Sequence, residues 1–331
     1  MRSERLDLII PVWGNWHLKV FADKALPTIL HESNLPAMAA ALDVRVIIYT
    51  REAGETMLAS LTPRLESVCE VVVQNADMPR GYKDAWGYGF AQSRYRGALS
   101  MLVAPDIVWS AGSFAHIAAL ISEGGRRLVY MPHMRGLPET FAGETLSGEA
   151  MLRAVKAHPH PVNLSEEVTS KVFTLHPEMV LWPIAGGWIA RLFAREPLVL
   201  DPARMLLNSQ NLLAGDAPAE GLALVESSDA ACGVSLAPRE RESHFWNRDG
   251  VHEYHPDRLA RFTKKYDSAV TRALASRTTL LRYGEIDAAE LEDNERKANA
   301  AVERAFGPVL SGPKPPWPHH SSKLNAPRAW R

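Results

Sequence analysis

Asp106 stands directly after an apolar run, in MLVAPDIVWSAGS at positions 101–113 of a 331-residue chain. A carboxylate there projects from the carboxyl end of a strand. It can hold a divalent cation against a diphosphate, since hard cations take carboxylate oxygens. Ser110, Gly112 and Ser113 would cap the next helix and present amides to an anion. The competing reading is a plain turn with a serine cap.

A second loop, Pro11-Val12-Trp13-Gly14-Asn15, follows the first strand signal. It is not GxGxxG, and no GxxxxGK[ST] occurs anywhere, so neither a dinucleotide fingerprint nor a P-loop is supported. Its glycine and flat aromatics suit stacking on a nucleobase, or equally packing at a sheet edge.

Tyr82, Lys83 and Arg94 precede Asp106 and suit neutralisation of a diphosphate, or plain solvation. Asp229 follows a strand signal, as a second metal ligand, a general base or a local cap. His176, in TLHPEM, suits a base or a phosphate contact, against a His-Pro helix stop. Gly186-Gly187-Trp188 suits an acceptor-side loop with the indole on a sugar face, against simple packing. His252 and His255 have metal-binding spacing but no partner acid; His319 and His320 read as solvated tail. Cys69 and Cys232 sit in apolar contexts as small hydrophobes, without zinc or redox spacing.

The elements that must position these groups alternate. Strand signals at 6–12, 44–50, 69–75, 99–105 and 126–133 are separated by helical patterns at 20–32, 55–68 (with Pro63 as an interruption), 83–99 and 113–125. This predicts an α/β fold, a mostly parallel sheet flanked by helices. Ligands bind beyond the carboxyl ends of such strands, which directs attention to 11–15, 50–52, 75–77, 106–113 and 133–135. A helix is expected from 164 to about His176, a strand at 223–229, and charged helices over 255–306. The division expected is 1–245, a charged helical appendage at 246–310, and a Pro-rich basic tail at 311–331.

The order IIPVWG, VRVIIYTRE and LVAPDIVWSAGSF resembles the nucleotide-sugar-binding half of bacterial GT-A-type glycosyltransferases. NLPAM at 34–38, the helix around Arg94, FAREPLVLDP at 193–202 and ESSDAACGVSLAP at 226–238 extend the resemblance over about 6–240. It implies a GT-A-like, Rossmann-like fold and sugar transfer from a nucleotide-diphospho-sugar to a carbohydrate or other hydroxyl acceptor. Pro11, Trp13, Gly14, Thr50 and Arg51 would hold the nucleoside. Asp106, with Mg or Mn, would hold the diphosphate–sugar, near Ser110 and Gly112. Two departures stand out. Ile107-Val108 replaces the rest of an Asp-x-Asp motif, and Ala194 and Glu196 stand where relatives tend to carry histidines. They keep open a catalytically inactive GT-A-like scaffold that docks a partner through its C-terminal helices and tail. A sugar nucleotidyltransferase fits less well, because the first loop lacks a Gly-rich, basic triphosphate grip.

Charge sets outer limits. Lys plus Arg is 37 and Asp plus Glu 38, giving −1. That excludes a general nucleic-acid coat, and 46% hydrophobic residues exclude an acidic disordered chain. The last twenty residues carry four basic and no acidic groups. With no apolar run long enough to span a bilayer and no signal peptide, the expected location is cytoplasmic, with the basic arm allowing contact with the inner membrane or a lipid-linked acceptor.

Overall fold

The computed structural model describes residues 4–169, 173, 178–193, 196–205, 221–240 and 253–307. In chain order the first half comprises β1 (Arg5–Pro11), α1 (Asn15–Val20), α2 (Leu26–Ile29), α3 (Leu35–Ala41), β2 (Asp43–Thr50), α4 (Glu52–Glu66), β3 (Glu70–Asn75), α5 (Tyr82–Arg96), β4 (Leu99–Leu102), β5 (Ile107–Trp109), α6 (Ser113–Ser122), β6 (Leu128–Tyr130) and β7 (His133–Gly136). The second half comprises α7 (Gly148–Ala157), α8 (Pro161–Glu166), β8 (Met179–Ile184), β9 (Gly187–Leu192), β10 (Val199–Leu200), β11 (Leu222–Leu224), β12 (Gly233–Leu236), α9 (Pro256–Lys265), α10 (Ala269–Ala275), β13 (Thr279–Arg282) and α11 (Ala288–Phe306).

The apolar runs become the centre of a seven-stranded sheet, ordered β11-β6-β10-β4-β1-β2-β3. Its pairs are parallel except at β10, which runs against both β4 and β6. The reason for the uninterrupted apolar sequence is visible in β1. Leu6, Leu8 and Ile10 enter one core while Ile9 enters another, so both faces are covered. The fold is therefore the expected mostly parallel sheet flanked by helices. From β1 the chain steps outward to β2 and β3, then returns to place β4 on the other side of β1. That reversal opens a crevice at the carboxyl ends of β1 and β4.

One close approach sets the helix that borders this crevice. A Cβ at Gly89 of α5 would lie 2.5 Å from the Ile9 Cδ1 and 2.7 Å from its Cγ1 and Cγ2. Only a bare backbone lets α5 rest on β1. Gly89→Ala is expected to cost about 1–3 kcal/mol by overpacking. Urea denaturation of the variant beside the parent checks this.

Two smaller sheets complete the molecule. One has the order β5-β12-β7, with β5 antiparallel and β7 parallel to β12. The other, β13-β9-β8, is antiparallel. The second draws strands from both sides of residue 245, and its own core includes Val180, Ile189, Leu259 and Val302. The stretch 255–306 is thus not wholly helical. Thr279–Arg282 is a strand, because pairing with β9 satisfies its backbone and buries Leu281.

Other local expectations shift for similar reasons. Helix α4 continues through Pro63 to Glu66; a proline in the last turn sacrifices little helical hydrogen bonding. The helix expected over 20–32 begins at Asn15 and passes through a π-helical turn at Phe21–Ala25. The helix expected to reach His176 ends at Glu166, where Glu167 bridges to Leu181. His176 itself lies outside the described residues, as do Ala194, His252 and the tail. Cys232 is buried and Cys69 half-buried, both free; burial pushes their thiols up to about 12 and about 11. Among the described residues no helix is long and apolar enough to cross a membrane.

Candidate functional site

A cavity of about 470 Å³ opens at the β1/β4 crevice, within the roughly 300–1,000 Å³ range of small-molecule sites. Pro11 ends β1 on its floor, and Ala104, Pro105 and Asp106 follow β4 along it. The β5-β12-β7 sheet faces them, contributing Trp109, His133, Arg135 and Ser235. Glu196, Pro197 and Leu198, on the approach to β10, close another side.

Aromatic rings build one wall. Trp13 and His17 lie 5.8 Å apart with planes tilted by 34°. Tyr82 meets Trp86 edge-on at 4.8 Å. All four line the cavity. The turn entering α5 is fixed by Asp84, whose carboxylate accepts from the Arg80 backbone N–H at 2.7 Å and from Arg80 Nε at 2.6 Å. Gly81 adopts φ +67°, and a Cβ there would meet the Trp13 ring at 3.3 Å. Glycine thus provides both the left-handed turn and the close seat for Trp13. Trp86 and Trp109 each keep a buried indole N–H without an acceptor among the described residues.

Asp106 is held at its backbone by a neighbouring strand and a local turn. Its carbonyl accepts from Leu236 N at 2.7 Å, tying it to β12, and Ile107 N reaches back to Ala104 O at 3.3 Å. The loop beyond it is fixed by a side chain from another motif. Asn34, fully buried, donates from Nδ2 to Thr28 O at 2.8 Å and to Ser110 O at 3.1 Å. Its Oδ1 accepts from Phe114 N at 3.1 Å. Asn34→Ala would strand these buried backbone groups, and a loss of about 2–3 kcal/mol is expected. Thermal and urea unfolding measure it.

The structure brings Pro11, Trp13, Tyr82 and Asp106 together and places the other described candidates elsewhere. Gly14 starts α1 beside Trp13. Thr50 is buried, with Oγ1 donating to Arg51 O at 3.4 Å, and exposed Arg51 donates to Met78 O at 3.0 Å. Lys83 and exposed Arg94 lie on α5 but do not line the cavity. Ser110 and Gly112 do not present free amides to an anion. Ser110 N donates to Cys232 O at 2.9 Å, its Oγ accepts from Cys232 N at 3.1 Å, and Gly112 N donates to Ser33 Oγ at 2.9 Å. These bonds make the turn a structural clasp.

Asp229 is tied elsewhere too. Its Oδ2 accepts from Arg282 Nε at 3.0 Å, outside the cavity. Ala185 and Gly186 form the turn joining β8 to β9, Gly187 opens β9 opposite Ile184, and Trp188 is buried with Nε1 donating to Glu167 Oε1 at 2.8 Å. His255 caps α9. The sequence reading passed over His17, Trp86, Ser235 and the weight of Arg135, and noted Glu196 only as a departure from relatives. Only its inclusion of 133–135 among the post-strand segments pointed toward Arg135.

As for Mg or Mn, among the described residues no three His, Cys, Asp or Glu side chains converge to hold a metal ion. Ile107 and Val108, at the remaining positions of the Asp-x-Asp pattern, are buried in β5. Among the described residues the cavity's carboxylates are Asp106 and Glu196, two rather than the three-ligand cluster of an all-protein metal site.

No family model and no curated protein matches the chain. Among solved structures it is similar to S. aureus TarS 1–349, at 11% identity over 91% of this chain and 70% of that one, TM-score 0.41. The same protein in complex with UDP is similar at 13% identity, TM-score 0.31; 41% of this chain is covered, and it spans 38% of the TarS chain. UTP-bound UGPase from Acinetobacter baumannii is similar at 14% identity over 39% of this chain and 55% of that one, TM-score 0.24. These likenesses are too distant to assign an activity.

Proposed function

We propose that this protein transfers a sugar from a nucleotide-diphospho-sugar to a hydroxyl of a carbohydrate or lipid-linked acceptor. The observation that carries the reading is the cavity at the β1/β4 reversal, which Trp13, Tyr82 and Trp86 line together with Asp106. Trp13, Tyr82 and Trp86 offer flat surfaces for a base or a sugar ring. Arg135 and His133, which line the cavity, offer hydrogen-bond donors to the oxygens of a glycosyl diphosphate.

In this reading Asp106 is the general base. The acceptor oxygen bonds to the anomeric carbon, its proton passes to the Asp106 carboxylate, and the carbon–oxygen bond to the diphosphate breaks with the electron pair leaving on the nucleoside diphosphate. The protein would act in the cytoplasm, with the basic tail touching an anionic membrane surface.

A panel of UDP-, GDP-, CMP- and TDP-sugars, with and without Mn, tests the proposal by thermal shift and nucleotide release. At least one should raise the melting temperature and be turned over. Binding of none would end it.

A further inference from the structure

A diphosphate entering this cavity meets electrostatic opposition. A glycosyl diphosphate is dianionic, yet the cavity that would receive it already holds Asp106 and Glu196. Like charges about 6–15 Å apart repel by roughly 1–3 kcal/mol at an effective dielectric near 20. A cation lining the cavity would offset that repulsion, and among the described residues no three His, Cys, Asp or Glu side chains cluster to hold a metal ion.

Arg135 is built to be that cation. Its backbone is clasped from both sides by one buried side chain. Arg135 N donates to Asn163 Oδ1 at 2.8 Å, and Asn163 Nδ2 donates to Arg135 O at 2.7 Å. Its guanidinium is anchored as well, Nη1 donating at 2.5 Å to Ser235 Oγ on the neighbouring strand, a residue only 2% exposed. Side chains two apart on a strand share a face. Arg135 and His133 both line the cavity, while Met134 and Gly136 are buried. A planar guanidinium presents a rigid fork matched to phosphate oxygens, and pre-anchoring lowers the entropy lost on binding.

We infer that Arg135, aided by His133, forms a diphosphate-binding subsite that works without a divalent cation. This deepens the glycosyl-transfer reading and rests on it for the identity of the ligand, a nucleoside diphosphate or its sugar ester. Ser235 and Asn163 act as positioning residues for the guanidinium.

Calorimetric titration with UDP, GDP and inorganic pyrophosphate, in EDTA and in Mn, tests the subsite. The parent should bind at least one of them in EDTA, with affinity within about threefold of that in Mn. Arg135→Ala should weaken binding roughly 10- to 100-fold. Arg135→Lys keeps charge and stem but loses the fork, so it should bind with intermediate affinity while melting close to the parent. Ser235→Ala should weaken binding less than Arg135→Ala.

Binding that appears only with Mn, equal binding by Arg135→Ala, or no binding of any diphosphate by the parent would each overturn the inference. The two proposals separate cleanly. Nucleotide-sugar turnover that survives Arg135→Ala unchanged sinks the subsite and spares the transferase. Pyrophosphate binding that depends on Arg135, without binding of any nucleotide sugar, does the reverse.

Discussion

Asp7→Ala should cost about 3–5 kcal/mol of folding stability, the usual cost of breaking a buried ion pair by removing one partner. The Asp7 side chain is fully buried in β1 and accepts from two guanidinium groups. Arg45 Nε and Nη2 lie 3.1 and 2.7 Å from its two oxygens, and Arg96 Nη1 lies 2.8 Å from Oδ1. Arg96 also donates through Nη2 to Asp43 Oδ1 at 2.6 Å. The cluster joins β1, β2 and the end of α5.

Truncation would leave two mostly buried guanidinium groups facing each other across an empty site. Asp7→Asn should cost much of the same, because it keeps shape but removes the charge that offsets them. Urea denaturation measures both. A loss below about 1 kcal/mol for either variant would show that water or rearrangement relieves the cations. Asp7 lies toward the amino ends of the strands, while the cavity lies at their carboxyl ends. Ligand affinity of the folded fraction should therefore stay within about twofold of the parent.

The same separation explains how much could be read from the chain. Strands β1, β2 and β4 were legible because burial on both faces demands largely apolar runs, and the carboxyl ends of β1 and β4 directed attention to Trp13 and Asp106. The partners that give the site its character were not legible. Arg135 depends on Ser235, a hundred residues later, and on Asn163. Asn34 entered only as part of the NLPAM resemblance, yet its amide organises the loop at 110–114.

Ser110 and Gly112 illustrate the converse error. Residue types suited to an anion site are equally suited to satisfying backbone groups, and Ser33 and Cys232 make the second use the real one. Thr279–Arg282 was hidden inside charged helical sequence because a short strand owes its structure to a neighbour, here β9. Asp229 looked catalytic by its place after a strand, but Arg282 already claims its carboxylate.

Asp106→Asn should separate two roles for this carboxylate by the sign of its effect on binding. As a general base, Asp106 contributes to the transition state, and its loss should lower kcat about 10²- to 10⁴-fold. Its charge, however, opposes the incoming diphosphate. Neutralising it without changing its size should leave UDP affinity in EDTA unchanged or tighten it by about threefold or more, since the repulsion at stake is roughly 1–3 kcal/mol before screening. A metal ligand behaves in the opposite way: the amide would weaken the cation, and UDP affinity in Mn would fall with it. Because the Asp106 backbone is fixed through Leu236 N and the turn at Ala104, the asparagine should occupy the same place and the melting temperature should move little. Single-turnover rates and calorimetric UDP affinities, each in EDTA and in Mn, distinguish the cases. Lost turnover with retained or improved UDP binding supports the base; loss of UDP affinity only where Mn is present would return Asp106 to a metal.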